Sequence, residues 1–361
     1  MKSECYLFGD EHIPKKAALP AVDAHNHMWA GQQAGAMVEL MDSVGVVSYC
    51  DLTPEARFTW EKGGTGAQKA EIEDFLADFA GRYPGRFYAF TTATFLHEPD
   101  EPLFSNAEQF VKQTVELLGR QVGLGARGLK ILKVLGLSSR DAQGNLVAVD
   151  DPRLADIWDA AGELSVPVLI HQSDPYGFFE PCTPENEHYE SLNKYSDWRF
   201  DDPKFPRKME LLKRRDNLVR RHSKTTFVLA HVANFAENLG YVSSLLDENP
   251  NAYIDFSARI DELGRQPYSA REFFIRYQDR ILFGTDMPAS AQMYRCYFRF
   301  LETFDQYFFA PDYDGTFDRR RWAIYGIGLS REVLAKIYYQ NALKIIPGLK
   351  EDLKNLLPVD K

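Results

Sequence analysis

Cysteine is scarce in this chain of 361 residues. Cys5, Cys50, Cys182 and Cys296 stand far apart with no CxxC pair, which excludes a zinc ribbon and a disulfide-dense scaffold. A reduced, cytoplasmic protein is the simpler reading, with export of a processed form left open. The opening residues MKSECYLFGDEHIPKK lack the apolar stretch of a signal peptide. Long apolar runs are missing as well: none approaches ~18 residues, so no membrane span is expected. A basic surplus is also absent. Acidic side chains outnumber basic ones 52 to 42, for a formal charge of −10, the wrong sign for a general nucleic-acid or anionic-membrane binder. No linker or low-complexity tract divides the chain, so a single domain is expected.

What is present is apolar material, 45% of residues, with 13% aromatic, enough for a substantial core. It is arranged in a rhythm. Short β-branched or aromatic runs at 22–28, 46–52, 87–95, 125–132, 167–173, 226–233, 252–258 and 281–287 read as eight strands. Several are apolar almost throughout, as strands buried on both faces must be. Between them lie amphipathic stretches at 71–83, 107–118, 154–164, 208–222, 235–246 and 332–346, and a shorter one at 270–278. The first places Ile72, Phe75, Leu76 and Phe79 on one face of a 3.6-residue period. Asp151 and Pro152 read as the cap and first residue of a helix. Strands that alternate with helices predict a parallel α/β fold, and eight such units predict a (β/α)8 TIM barrel. The boundaries are an N-terminal extension at 1–20, the barrel at 21–348 and a tail at 349–361. Two segments break the rhythm, 174–206 after the fifth strand and 288–328 after the eighth; they read as long insertions over the C-terminal mouth.

Histidine placement carries the chemistry. Of eight histidines, His25, His27, His171 and His231 fall at the C-terminal ends of apolar runs, the face where a barrel's active site forms. His25 and His27 are two apart on one strand and point the same way. Asp286, in FGTDMP, closes the eighth strand, which lies beside the first once a barrel closes. Buried together, such groups need partners. A nitrogen and oxygen donor set of this kind suits Zn²⁺, with Mn²⁺ or Fe²⁺ as alternatives.

The motifs VDAHNHMW (22–29), GLKIL (128–132), VLIHQ (168–172), VLAHV (228–232) and LFGTDMP (282–288) resemble the amidohydrolase superfamily. They are most similar to its amidohydrolase-2 branch, which holds aminocarboxymuconate-semialdehyde decarboxylase and related metal-dependent enzymes. The resemblance spans 20–348. It implies His25, His27, His171 and Asp286 as ligands of one divalent ion, and His231 as the residue that orients or deprotonates a metal-activated water. Asp286 and His231 would then be the catalytic pair. An ion in such a site lowers the pKa of bound water from about 16 toward about 7.

Lys130 stands where two-metal relatives carry a carboxylated, bridging lysine. The alternative is an ammonium facing substrate or a neighbouring carboxylate. Strand alternation turns Lys133 away from Lys130 unless the backbone bends. Arg259 is a candidate clamp for a substrate carboxylate, or else a salt-bridge partner of Asp261 or Glu262. Asp174, Tyr176, Trp198 and Arg199 could cap the pocket. Tyr294, Tyr297, Phe298, Phe304, Tyr307, Phe308, Phe309 and Trp322 read as local core or a subunit contact, which makes a homo-oligomer the expectation. The basic runs at 213–215 and 220–221 read as the solvated face of a helix.

The leading expectation is a metal-dependent hydrolase acting on an amide, lactone or ester bond of a small, carboxylated or neutral, organic molecule. A non-oxidative decarboxylase built on the same site is the second reading. A non-catalytic ligand-binding barrel with a structural metal is the third.

Overall fold

The apolar runs become strands because their side chains are buried on both faces, and their hydrogen-bonding groups then find partners in parallel neighbours. The computed structural model describes residues 13–62, 64–97, 101–312, 321–355 and 357. Cys5, and the rest of the expected terminal segments and of 288–328, lie outside the described residues. The strands are β1 (Ala21–Asn26), β2 (Val46–Asp51), β3 (Ala56–Glu61), β4 (Gly64–Lys69), β5 (Phe87–Ala89), β6 (Leu129–Ile131), β7 (Val168–Ile170), β8 (Phe227–Leu229), β9 (Ala252–Asp255) and β10 (Ile281–Leu282). Two parallel sheets result, β1-β2-β5 and β10-β9-β8-β7-β6, with β3 and β4 forming a separate antiparallel hairpin.

The two parallel sheets meet along both edges. Thr91 pairs with Leu129 beyond the end of β5. On the other side Ala24 N donates to Phe283 O (3.0 Å), and Asp286 N donates to His25 O (2.8 Å). The fold is thus α/β, and the described residues hold eight parallel strands in chain order around one core.

All eight expected strands are present, but the ladders stop short of the expected C-terminal ends. The reason is visible in the backbone. Past β8 the chain turns left-handed at His231, Val232, Ala233 and Asn234; past β9 it does so at Ala258, and past β10 at Asp286, with φ between 48° and 58°. These residues leave the ladder to present side chains rather than to pair.

The expected helices form as well. Ala107–Leu124 is capped by Asn106, whose side chain accepts from Gln109 N. Asp151 accepts from Arg153 N with Pro152 in the first position. The closing helix, 331–345, contains a π turn at Lys336–Gln340 whose Ile337 O accepts from Phe283 N (2.9 Å).

Three features depart from expectation. The hairpin β3–β4 occupies a stretch read as connection. The 288–328 segment holds the helix Ala291–Glu302, which buries Tyr294, Tyr297 and Phe298, while Phe304 and Tyr307 remain exposed. Arg215, read as solvated, is wholly buried and donates to Ala233 O. Cys50, Cys182 and Cys296 carry free thiols, and no helix among the described residues is long and apolar enough to cross a membrane.

Candidate metal centre

Three imidazoles are each tied at Nδ1 and aim Nε2 at one carboxylate. His25 Nδ1 donates to Asp255 Oδ2 (2.8 Å), which leaves its Nε2 lone pair 3.7 Å from Asp286 Oδ2. His231 Nδ1 donates to Ser257 O (2.8 Å), and its buried Nε2 has no hydrogen-bond partner while facing Asp286 Oδ2 at 3.5 Å. His27 Nδ1 shares a hydrogen bond with Thr53 Oγ1 (2.8 Å), with Nε2 3.4 Å from Asp286 Oδ1. A backing partner on one ring nitrogen fixes the tautomer and directs the other.

His25, His231 and Asp286 bring their donor atoms within 4.8 Å of one another. That set, with a buried orphan nitrogen in it, fits a divalent ion of the zinc or manganese type. His171 lies alongside, its ring 4.4 Å from that of His231, but its Nε2 is turned toward Asp174 Oδ1 at 3.3 Å.

The electrostatics suit ligation. Burial, aided by the Lys130 charge, holds His25 and His27 well below the usual histidine range. Burial does the same to His231 and brings His171 down to about 4. Neutral imidazole is the ligating form. Burial raises Asp286 to about 7 against the opposing pull of Lys130, a value suited to proton transfer at neutral pH. Lys130 is also wholly buried and donates to His25 Nε2 (3.2 Å). Burial pushes it down to about 8, although Asp286 and Asp255 favour its charge.

Asp255 escaped the sequence reading. It sits inside YIDFSA, a strand-end carboxylate with the same signature as Asp286. Its Oδ1 accepts from His231 N (3.1 Å), Ser257 N (3.0 Å) and Ser257 Oγ (2.5 Å), so one side chain orients two of the three donors. Asp23 performs a similar task below. It accepts from Asn26, Thr285 and Tyr294, locking β1 to the Asp286 loop.

Left-handed backbone at non-glycine residues costs roughly 1–2 kcal/mol each, and such strain gathers at sites that need a fixed side-chain direction. Gly284 shows how tightly β1 and the Asp286 loop approach: a Cβ there would lie 2.7 Å from His25 Cβ. Gly284→Ala is expected to lower stability by about 1–3 kcal/mol through overpacking and to displace His25. Denaturant melts and metal titration of the variant would check both effects.

Above these groups opens a cavity of about 290 Å³. One wall is aromatic: Trp29 stacks on Trp60 of the hairpin (4.7 Å), and Trp60 meets Tyr195 (5.5 Å), which meets Trp198 (4.3 Å). Phe58 and Phe178 add to that wall. The cations Lys133 and Arg259 also line the cavity. Lys133 Nζ donates to Asp174 Oδ2 (2.6 Å), and Arg259 Nη2 lies 3.8 Å from Asp174 Oδ1. Burial works to raise Asp174, but Lys133, His171 and Arg259 together hold it well below the usual carboxylate range. Lys133 reaches the cavity because β6 ends at Ile131 and the backbone bends into helical geometry at φ −59°, ψ −20°. Lys130 lies beneath the cavity floor against His25, and Arg259 lines the wall.

A family model described as Amidohydrolase, of the amidohydrolase-2 branch, matches residues 22–347. No curated protein matches the chain. Among solved structures, the chain is similar to one described as a putative amidohydrolase from Staphylococcus aureus, at 17% identity and TM-score 0.55, covering 90% of this chain and 99% of that one. It is similar to 2,6-dihydroxybenzoate decarboxylase from Rhizobium, at 16% identity and TM-score 0.55, covering 92% and 99%. A third is a dihydroxybenzoic acid decarboxylase from Polaromonas with bound manganese and the inhibitor 2-nitroresorcinol, at 17% identity and TM-score 0.52, covering 87% and 86%. At such identities the likeness is one of fold.

Proposed function

The chain belongs to the amidohydrolase family, and from that premise we propose that it is a metal-dependent hydrolase of an amide, lactone or ester bond in a small organic acid. The eight parallel strands of 21–348 are read as a (β/α)8 barrel, with 174–206 and 288–328 as insertions over its mouth. The observation that carries the functional reading is the convergence of His25, His27 and His231 Nε2 on Asp286. A divalent ion held by His25, His27, His171 and Asp286, zinc first and manganese or iron as alternatives, would supply Lewis acidity to a substrate carbonyl and acidify a water. Ligation by His171 would require its Nε2 to turn from Asp174.

The rest falls to the chain's own groups. Asp286, poised at about 7, accepts and returns a proton near neutral pH. His231 Nε2, with no hydrogen-bond partner in the structure, receives a hydrogen bond from the attacking water and fixes its direction. Lys133 and Arg259 hold the acid group of the substrate, and the Trp29–Trp60 wall excludes solvent from the reacting bond. We further propose a homo-oligomer, since Phe304 stands 68% exposed on the 288–328 segment.

Decarboxylation is the second reading, favoured by a cavity lined by aromatic rings together with two cations. Two solved structures of similar fold are described as dihydroxybenzoate decarboxylases. In that chemistry a protonated Asp286 would deliver its proton to the carbon that loses CO₂. Assaying lactones, amides and aromatic acids in ¹⁸O-water separates the two: solvent oxygen in the product supports hydrolysis, and CO₂ release without it overturns that reading.

A further inference from the structure

Four consecutive non-glycine residues, His231 to Asn234, adopt left-handed backbone with φ between 50° and 58°. Local preference does not favour such a turn, so tertiary contacts must hold it. The helix Lys208–Arg221 supplies them. Lys208 and Arg215, seven residues apart and hence on one helix face, aim at successive carbonyls of the turn: Arg215 Nη1 donates to Ala233 O, and Lys208 Nζ donates to Asn234 O at 2.5 Å. Lys208 Nζ also donates to Asp174 O at 2.5 Å, and it lies 5.0 Å over the Phe235 ring. Asn234 reinforces the same junction, accepting from Gln172 N (3.2 Å) and donating to Ser173 O (2.7 Å).

We infer that Lys208 is a positioning residue: its buried ammonium clamps the loop that carries Asp174 to the turn that carries His231, and so sets the distance between the cavity's anion-binding wall and its proton-handling imidazole. Burying an ammonium is unfavourable, and burial pushes this one down to about 8. Two carbonyls from two different loops compensate it, so an apolar replacement would leave both without their donor. The role at His231 rests on the function proposed above; the clamp itself does not.

The test therefore has one arm that needs no substrate. In metal-free protein labelled with ¹⁵N-histidine, Lys208→Met should shift the His231 imidazole resonances, Lys208→Arg should restore them, and Lys213→Met, on the exposed side of the same helix, should leave them unchanged. Should the Met variant fail to fold, Lys208→Gln, whose shorter, uncharged side chain keeps an NH₂ donor group but cannot span both carbonyls as the ammonium does, should show the same shift. On any substrate turned over, loss of the clamp should lower kcat by about 100-fold, the effect of a misplacement near 1 Å, with recovery in the Arg variant. Unchanged His231 resonances in Met or Gln variants would overturn the inference whatever the reaction proves to be. Shifted resonances with no hydrolytic activity would leave the clamp standing and count only against the hydrolase.

Discussion

Asp286→Asn is expected to reduce turnover on the order of 10²–10⁴-fold, yet to leave the metal-free protein more heat-stable at pH 8 than the parent. Both halves follow from one location. Asp286 Oδ2 faces His25 and His231 Nε2 at 3.7 and 3.5 Å, and Oδ1 faces His27 Nε2 at 3.4 Å. No other carboxylate among the described residues is approached by three imidazoles in this way. Asparagine keeps the volume and loses both the charge and the ability to exchange a proton.

The stability half depends on the sign of the shift. Burial raises Asp286 from 3.8 to about 7, so the folded chain holds this proton more tightly than the unfolded chain. The stability lent by the protonated carboxyl is full below pH 3.8 and is lost as pH rises through about 7. Asparagine does not titrate, and its advantage should therefore grow between about pH 4 and 7 and hold level above. Thermal melts of chelated wild type and variant across that range measure it. Equal melting differences at both ends, or turnover within tenfold of wild type, would remove Asp286 from the centre of the site.

Much of this arrangement was legible from sequence because polar residues at the ends of wholly apolar runs have few innocent explanations. His25, His231 and Asp286 stood out on that ground. Asp255 has the same signature, but the reading treated YIDFSA as a strand leading to Arg259 and passed over the acid within it. Lys133 was hard to place because strand alternation was carried past Ile131, where the ladder ends and the chain bends. Arg215 was hidden in KRR, a run that composition assigns to solvent, since only the fold reveals carbonyls of a left-handed turn beneath it. The hairpin left little trace because Gly64–Lys69 contains no alternating apolar residues, although its partner strand carries Phe58 and Trp60 into the cavity. The helix Ala291–Glu302 lies within the segment read as an insertion over the mouth; its aromatics signal local core, but their crowding leaves the single buried helical face unmarked.

Stripping the protein with a chelator is expected to abolish turnover while leaving the fold in place, and zinc or manganese should restore activity. A structural ion would behave otherwise, since its removal unfolds the segments that it joins. Here the strand ends are held by the chain itself. Asp255 joins β9 to His25 and to the His231 turn. Asp23 joins β1 to Thr285 and Tyr294, and Lys208 joins the loops after β7 and β8. The imidazoles of His25 and His27 are likewise fixed at Nδ1 by Asp255 and Thr53, so removing an ion costs contacts at one point rather than a scaffold. The melting temperature should still rise when metal is returned, because an ion that binds only the folded chain adds about 2.7 kcal/mol at a hundredfold excess over its Kd. Circular dichroism of the chelated protein, read beside its activity and elemental analysis, distinguishes the cases. Loss of helical signal on chelation would make the ion structural. Full turnover in protein that contains no metal would remove it from the chemistry.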